Sequence, residues 1–210
     1  MGAELAPLVL LAGGRSARAG EPKGLIAVGG RPWIERQLEA FAACGGARAI
    51  VVLGHDRDAY AALAWIDFAR PFAYAGLGVE IAINAAPERG PFSSLVEGAR
   101  RVAGAAFVLP VDVPCPRAGV WTALAGALAS GAAAAIPVHA GRGGHPVLLG
   151  APLVASCLAI DPSSADARLD AVLRAAGAAR VDVDDASIAT NLNTPADWEK
   201  MRNDLGDRAR

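Results

Sequence analysis

The sequence predicts an α/β protein, a three-layer α/β/α sandwich around a mostly parallel sheet. Three observations carry that prediction. Short apolar runs alternate with amphipathic segments along nearly all 210 residues. The runs are continuously apolar, as strands covered on both faces must be. The composition is 53% apolar but only 5% aromatic, and its richness in Ala, Val, Leu and Gly suits α/β architecture better than a β-sandwich. The length suits one domain over residues 1–210.

In chain order, Pro7–Ala12 reads as a buried strand that breaks into a glycine-rich basic loop. Pro32 then opens an amphipathic helix with Ile34, Leu38 and Phe41 on one face. Ala49–Leu53 is a buried strand, and Arg57 to about Phe68 is helix-prone. Val79–Ile83 forms the next strand. Ser94-Leu95-Val96-Glu97 reads as a capping box that starts a helix burying Leu95, Ala99 and Val102. Ala105–Leu109 is another buried strand, running into Pro110-Val111-Asp112. A helix near Val120–Ala129, a strand at Ala133–Val138, a flexible Gly141–Gly144 loop and a short strand at Val147–Leu149 follow. The tail carries a helix around Leu169–Ala176, a strand near Val181, and a last helix with Thr194 as N-cap and Pro195 in its first turn. Ligands on such sheets bind beyond the carboxyl ends of the strands, so the loops that follow strands are the place to look for chemistry.

The formal net charge of −1 gives no global field for nucleic acid or an anionic membrane. Three scattered cysteines, Cys44, Cys115 and Cys157, form no C-x-x-C pair, which argues against a disulfide framework or a zinc site. No signal peptide and no bilayer-length apolar run is recognisable, so a cytoplasmic protein is expected.

The most informative segment is Leu10-Leu11-Ala12-Gly13-Gly14-Arg15-Ser16-Ala17-Arg18-Ala19-Gly20-Glu21-Pro22-Lys23. Its glycines bare backbone N–H groups, and Arg15, Arg18 and Lys23 add cations, a combination matched to phosphate. The alternative is a basic surface turn. Two familiar phosphate motifs do not fit. A P-loop requires Lys-Ser/Thr directly after its last glycine, and a dinucleotide fingerprint requires G-x-G-x-x-G opening into a helix.

The pattern Leu11-Ala12-Gly13-Gly14-x-Ser16-x-Arg18-x-Gly20-x-x-Lys23 resembles the opening motif of the MobA-like nucleotidyltransferases, which attach GMP or CMP to molybdopterin. The resemblance extends to Gly30-Arg31-Pro32, to Asn84 with Gly90-Pro91-Phe92-Ser93-Ser94-Leu95, to Val111-Asp112-Val113-Pro114, to Gly144-His145-Pro146-Val147, and to Asn191-Leu192-Asn193-Thr194-Pro195. It implies the Rossmann-like fold of nucleotide-diphospho-sugar transferases. It also implies a nucleoside triphosphate donor (GTP or CTP), a phosphorylated acceptor with molybdopterin the first choice, Mg²⁺, and a molybdoenzyme or cofactor-pathway partner. Nucleic acid and membrane are not among the implied partners.

By that resemblance, Lys23, Arg15 and Arg18 act on the triphosphate and departing pyrophosphate. Leu11, Ala12, Gly13 and Gly14 line the nucleotide, and Asn84, Ser93 and Ser94 contact its base or ribose. Asp112 holds the metal with Asn193, Asn191 being the less favoured partner. Local alternatives stay open: Asp112 or Asn193 can cap a helix, Ser94 can be an N-cap, and Asn84 can be a turn residue. His145 is expected to pack, and Cys115 has no basic neighbour in sequence to make it a nucleophile. Leu-Ala-Gly-Gly and Asn-x-Asn-Thr-Pro resemble the guanylyl branch, whereas Gly90-x-x-Ser93-Ser94-Leu95 and Gly144-His145-Pro146-Val147 resemble the cytidylyl branch. Two further readings remain, a transferase for another phosphorylated metabolite and a non-catalytic nucleotide-binding regulatory or chaperone-like protein.

Overall fold

The computed structural model describes residues 4–16 and 20–207. Strand β1 (Leu8–Ala12) leads through the basic loop to a 3-10 turn at Lys23–Leu25 and a small hairpin, β2 (Ala27–Val28) with β3 (Arg31–Pro32). Helix α1 (Trp33–Ala43) follows, then β4 (Arg48–Leu53), β5 (Phe72–Tyr74), β6 (Leu77–Ile83), α2 (Pro91–Ala99), β7 (Ala106–Pro110) and α3 (Ala118–Ala129). The remaining elements are β8 (Ala134–His139), β9 (Arg142–Gly143), β10 (Val147–Leu149), α4 (Ala151–Ala159), α5 (Leu169–Ala175), β11 (Ala179–Asp182) and α6 (Pro195–Asp207).

Among the described residues, nine strands make one sheet in the order β11–β8–β10–β7–β1–β4–β6–β5, with β9 paired to β8. The four central strands β6, β4, β1 and β7 are mutually parallel. β10 runs antiparallel between β7 and β8, so β8 and β11 point the same way as β7. The sheet is therefore mostly parallel, and both its faces are covered. Leu8, Leu10 and Ala12 of β1 pack into one apolar layer with residues of α1 and α3, while Val9 and Leu11 pack into the other with α2. Period-two alternation splits each strand in this way. Each fully buried Leu or Val contributes about 1.5–3 kcal/mol, so the interior strands dominate stability. Trp121 anchors the α3 layer, its ring 4.7 Å from Phe41 and 4.9 Å from Phe107.

Several local expectations need correction. The stretch from Arg57 to Phe68 holds only a 3-10 turn at Arg57–Ala62, because its one buried anchor is Tyr60 and it has no apolar stripe to lay on the sheet. Helix α2 begins at Pro91 with Gly90 as its cap, so Ser94 lies inside it and starts nothing. Residues 141–144 are not a free loop. Ala140 and Gly141, both at positive φ, turn the chain so that His139 pairs with Arg142. Helix α4 was not expected, since its small, evenly apolar sequence carries little periodic signal. Among the described residues, no helix is long and apolar enough to cross a membrane.

Candidate active site

The order of the sheet brings the site together. β1 lies between β4 and β7, the place where the strand order reverses. Leu11 is in register with Pro110, and the Val111 N–H donates to the Leu11 carbonyl at 2.9 Å. The glycine loop after β1 and Asp112 after β7 therefore emerge side by side. Lys23, at the far end of the loop, reaches back across both. Its Nζ donates to Asp112 Oδ2 at 2.7 Å and to Asn193 Oδ1 at 2.8 Å. Three groups far apart in sequence thus converge on one point. Both acceptors are hard oxygens arranged around a cation.

A cavity of about 450 Å³ opens beside this cluster, lined among others by Ala12, Gly13, Gly14, Arg15, Lys23 and Asp112. Ser16 fixes the loop by accepting the Lys23 backbone N–H at 3.0 Å. Close packing explains Gly13, since a Cβ there would lie 2.9 Å from Ser94 Oγ and 3.3 Å from the Gly54 nitrogen. Gly24 is equally constrained, because a Cβ would sit 2.6 Å from the Tyr60 hydroxyl. Ser94, in turn, accepts from Asn84 Nδ2 at 3.0 Å, and Ser93 accepts from the same nitrogen at 2.7 Å. Asn84 closes its own turn by accepting the Ala86 N–H. Asn84 and Ser93 are not part of the cavity lining, and Asn84 braces Ser94, which is.

The segment that presents Asp112 is strapped to α1. Buried Gln37 donates to the carbonyls of Val113 at 2.6 Å and Val111 at 3.3 Å, and accepts the Cys115 N–H at 2.7 Å. Trp33 Nε1 donates to the Val111 carbonyl at 2.7 Å. From the other side, the Leu192 N–H donates to the Asp112 carbonyl at 2.8 Å, bringing Asn193 alongside. Asn193 is aimed by the start of α6: Asp197 accepts the N–H groups of Asn193 and Thr194, and the Thr194 hydroxyl as well. The Thr194 hydroxyl and then these N–H groups hold the Asp197 carboxyl below the usual carboxylate range. Gln37 escaped the sequence reading, since a polar residue inside an apolar helix stripe does not disclose its partners. Replacing it with Leu would strand the Val113 carbonyl and the Cys115 N–H, lowering stability by about 2–4 kcal/mol. The midpoint of urea denaturation measures this.

Among the other sequence candidates, Leu11 and Arg15 line the cavity, while Arg18 lies outside the described residues. Asn191 makes no bond to Lys23. It lies instead in a neighbouring groove of about 670 Å³ with His145, Arg142 and Arg174. Burial holds the His145 imidazole below its ordinary pKa, against the opposing pull of the Val108 backbone and Asp112, and its Nδ1 is buried without a hydrogen-bond partner. His55, Tyr60 and Pro87 also line the cavity and were not picked out from the sequence. The one available signal is that Gly54-His55 follows the carboxyl end of β4.

Comparison with known proteins places these features in context. Residues 8–181 match the family described as the MobA-like NTP transferase domain. A molybdenum cofactor guanylyltransferase of Xanthomonas euvesicatoria pv. vesicatoria is 34% identical over 108 residues, which cover 50% of this chain and 46% of that protein. The match thus spans about half the length of that relative. A nucleotidyl transferase from Methanothermobacter thermautotroptrophicus superposes with a TM-score of 0.72 at 21% identity, covering 97% of this chain and 99% of the other. A molybdopterin-guanine dinucleotide biosynthesis protein A from Archaeoglobus fulgidus gives a TM-score of 0.69 at 18% identity, covering 96% and 99%. At such identities the two structural likenesses are likenesses of fold.

Proposed function

The chain belongs to the MobA-like NTP transferase family of nucleotidyltransferases, and from that premise we propose that it transfers GMP from GTP to molybdopterin, releasing pyrophosphate. One observation carries the reading: Lys23, Asp112 and Asn193 meet beside a cavity lined by the glycine loop at the carboxyl edge of the sheet. Such a cavity suits a nucleoside triphosphate. Its bare loop admits the phosphates, Lys23 and Arg15 offset their charge, and Arg18 is assigned the same task from the sequence.

In this reaction an acceptor phosphate oxygen attacks the α-phosphorus. A new phosphorus–oxygen bond forms, and the bond to the bridging oxygen breaks as pyrophosphate departs. Positioning and charge neutralisation carry most of the catalysis. Lys23 must leave Asp112 and Asn193 to follow the phosphates, and those two oxygens are then free for a divalent cation. The donor set fits Mg²⁺, which is commonly held by one or two carboxylates together with substrate phosphates. Among the described residues no cluster of three or more His, Cys, Asp or Glu forms a metal cage by itself, so Asp112 and Asn193 would share the ion with the nucleotide. When bound, Mg²⁺ neutralises charge on the triphosphate and so lowers the barrier to attack. His145 is given no proton-transfer role, since a phosphate oxygen is already a competent nucleophile.

GTP is preferred over CTP because Leu11-Ala12-Gly13-Gly14 and Asn191-x-Asn193-Thr194-Pro195 follow the guanylyl pattern and a guanylyltransferase is among the relatives. The test is pyrophosphate release with each of the four nucleoside triphosphates and Mg²⁺, with and without molybdopterin. Release that requires both GTP and molybdopterin is expected. Release with CTP would reassign the base, and release only with another phosphorylated acceptor would reassign the substrate. Nucleotide binding with no release under any condition would make the chain a non-catalytic binding protein.

A further inference from the structure

Two thiols distant in sequence meet beneath the segment that carries Asp112. Cys44 caps the carboxyl end of α1, and Cys115 lies three residues beyond Asp112. Both donate to one acceptor, the Pro116 carbonyl, with Cys44 Sγ at 3.6 Å and Cys115 Sγ at 3.8 Å. Sharing that one acceptor brings the two thiols together. Neither is sealed from solvent. Cys44 is half-buried, and Cys115 lines a groove of about 870 Å³ between α1 and α6. Cys157, by contrast, is fully buried on α4. The transfer reaction uses none of the three.

We infer that Cys44 and Cys115 are a dithiol modification site, closed to an intrachain disulfide by low-molecular-weight disulfides of the glutathione class. In the first step the Cys44 thiolate attacks one sulfur of the reagent, giving a mixed disulfide and expelling one thiolate. Cys115 passes its proton to solvent and attacks Cys44 Sγ, expelling the second thiolate. In sum, two protein thiols and one small disulfide become one protein disulfide and two small thiols. The chain loses two electrons and the reagent gains them. The neighbouring Cys115 thiol holds Cys44 below the ordinary thiol pKa, while Cys44 and burial push Cys115 up, so Cys44 at the end of α1 is the attacking sulfur. Because Gln37 already ties the Cys115 N–H to α1, closure pulls on the strap that presents Asp112. A transient disulfide of this kind is what a reducing compartment permits.

The test treats the full chain with glutathione disulfide, alkylates the remaining thiols under native conditions and maps the products by mass spectrometry. The expected result is loss of two of the three thiols with no retained glutathione, a Cys44–Cys115 cross-linked peptide, and restoration by dithiothreitol. In Cys115→Ser, a glutathione adduct should persist on Cys44. A stable adduct on Cys44 of the unaltered chain, or two unmodified thiols, would overturn the site. These readouts do not depend on the transfer reaction. If that reaction is as proposed, the closed form loses pyrophosphate release and dithiothreitol restores it. Full release by quantitatively closed protein would refute the coupling to Asp112 while leaving the transferase reading intact.

Discussion

Replacing Lys23 with Ala lowers pyrophosphate release by about 10²–10³-fold, the loss seen when one fixed positive or hydrogen-bonding group is taken from a developing anion. Among the described residues, Lys23 is the cation best placed for that role. Its ammonium sits at the seam of the glycine loop, Asp112 and Asn193, and its backbone is pinned by Ser16. The same substitution also removes an ion pair whose side chains are 16% and 22% exposed. Between an exposed pair and a buried one, the loss is about 1–2 kcal/mol. For a chain of this size that lowers Tm by about 3–6 °C. Steady-state kinetics and a thermal melt measured together separate the two effects. A variant that melts normally and keeps its turnover would take Lys23 out of catalysis.

The second large effect is expected at Asp112. Substitution Asp112→Asn keeps the size of the side chain and an oxygen that can still accept from Lys23, but removes the negative charge. Turnover should fall by about 10²–10³-fold. The Mg²⁺ concentration giving half the maximal rate should also rise, by about 10–100-fold. Far-ultraviolet circular dichroism should stay unchanged, because β7 ends at Pro110 and the strap beyond it is held through the carbonyls of Val111 and Val113. A titration of rate against Mg²⁺ distinguishes this pattern from simple loss of fold. If the magnesium requirement does not move, the carboxylate serves only to hold Lys23.

The central sheet was legible because β1, β4 and β7 are continuous apolar runs with glycine, proline or polar residues at their ends. The loops that follow them inherit a location from the topology, which is why Gly13, Lys23 and Asp112 could be singled out together. What stayed hidden is tertiary. The Lys23 contacts with Asp112 and Asn193 span 89 and 170 residues, and no local pattern encodes them. Of the Ser93-Ser94 pair, Ser93 accepts from Asn84 and donates to the Gly90 carbonyl, whereas Ser94 accepts from Asn84 and lines the cavity, a division that sequence alone does not disclose. The short β2–β3 hairpin and edge strand β5 were unmarked for another reason: two or three residues are too few to show a period. Trp65 lies half-buried against the core at the sheet edge, stacking on Tyr74 and donating to Glu35, contacts that no local pattern discloses.

The edge-to-face contact of Trp33 with Trp198, centroids 5.6 Å apart at 84°, has a practical consequence. One indole touches the backbone just before Asp112, and the other belongs to the helix that aims Asn193. On the proposed mechanism Lys23 leaves those two side chains when the triphosphate binds, which would change the field and packing around both rings. If nucleotide binding is as proposed, filling the cleft should therefore change tryptophan emission before any product is made, and substitution of Trp33 or Trp198, unlike that of Trp65, should abolish the change.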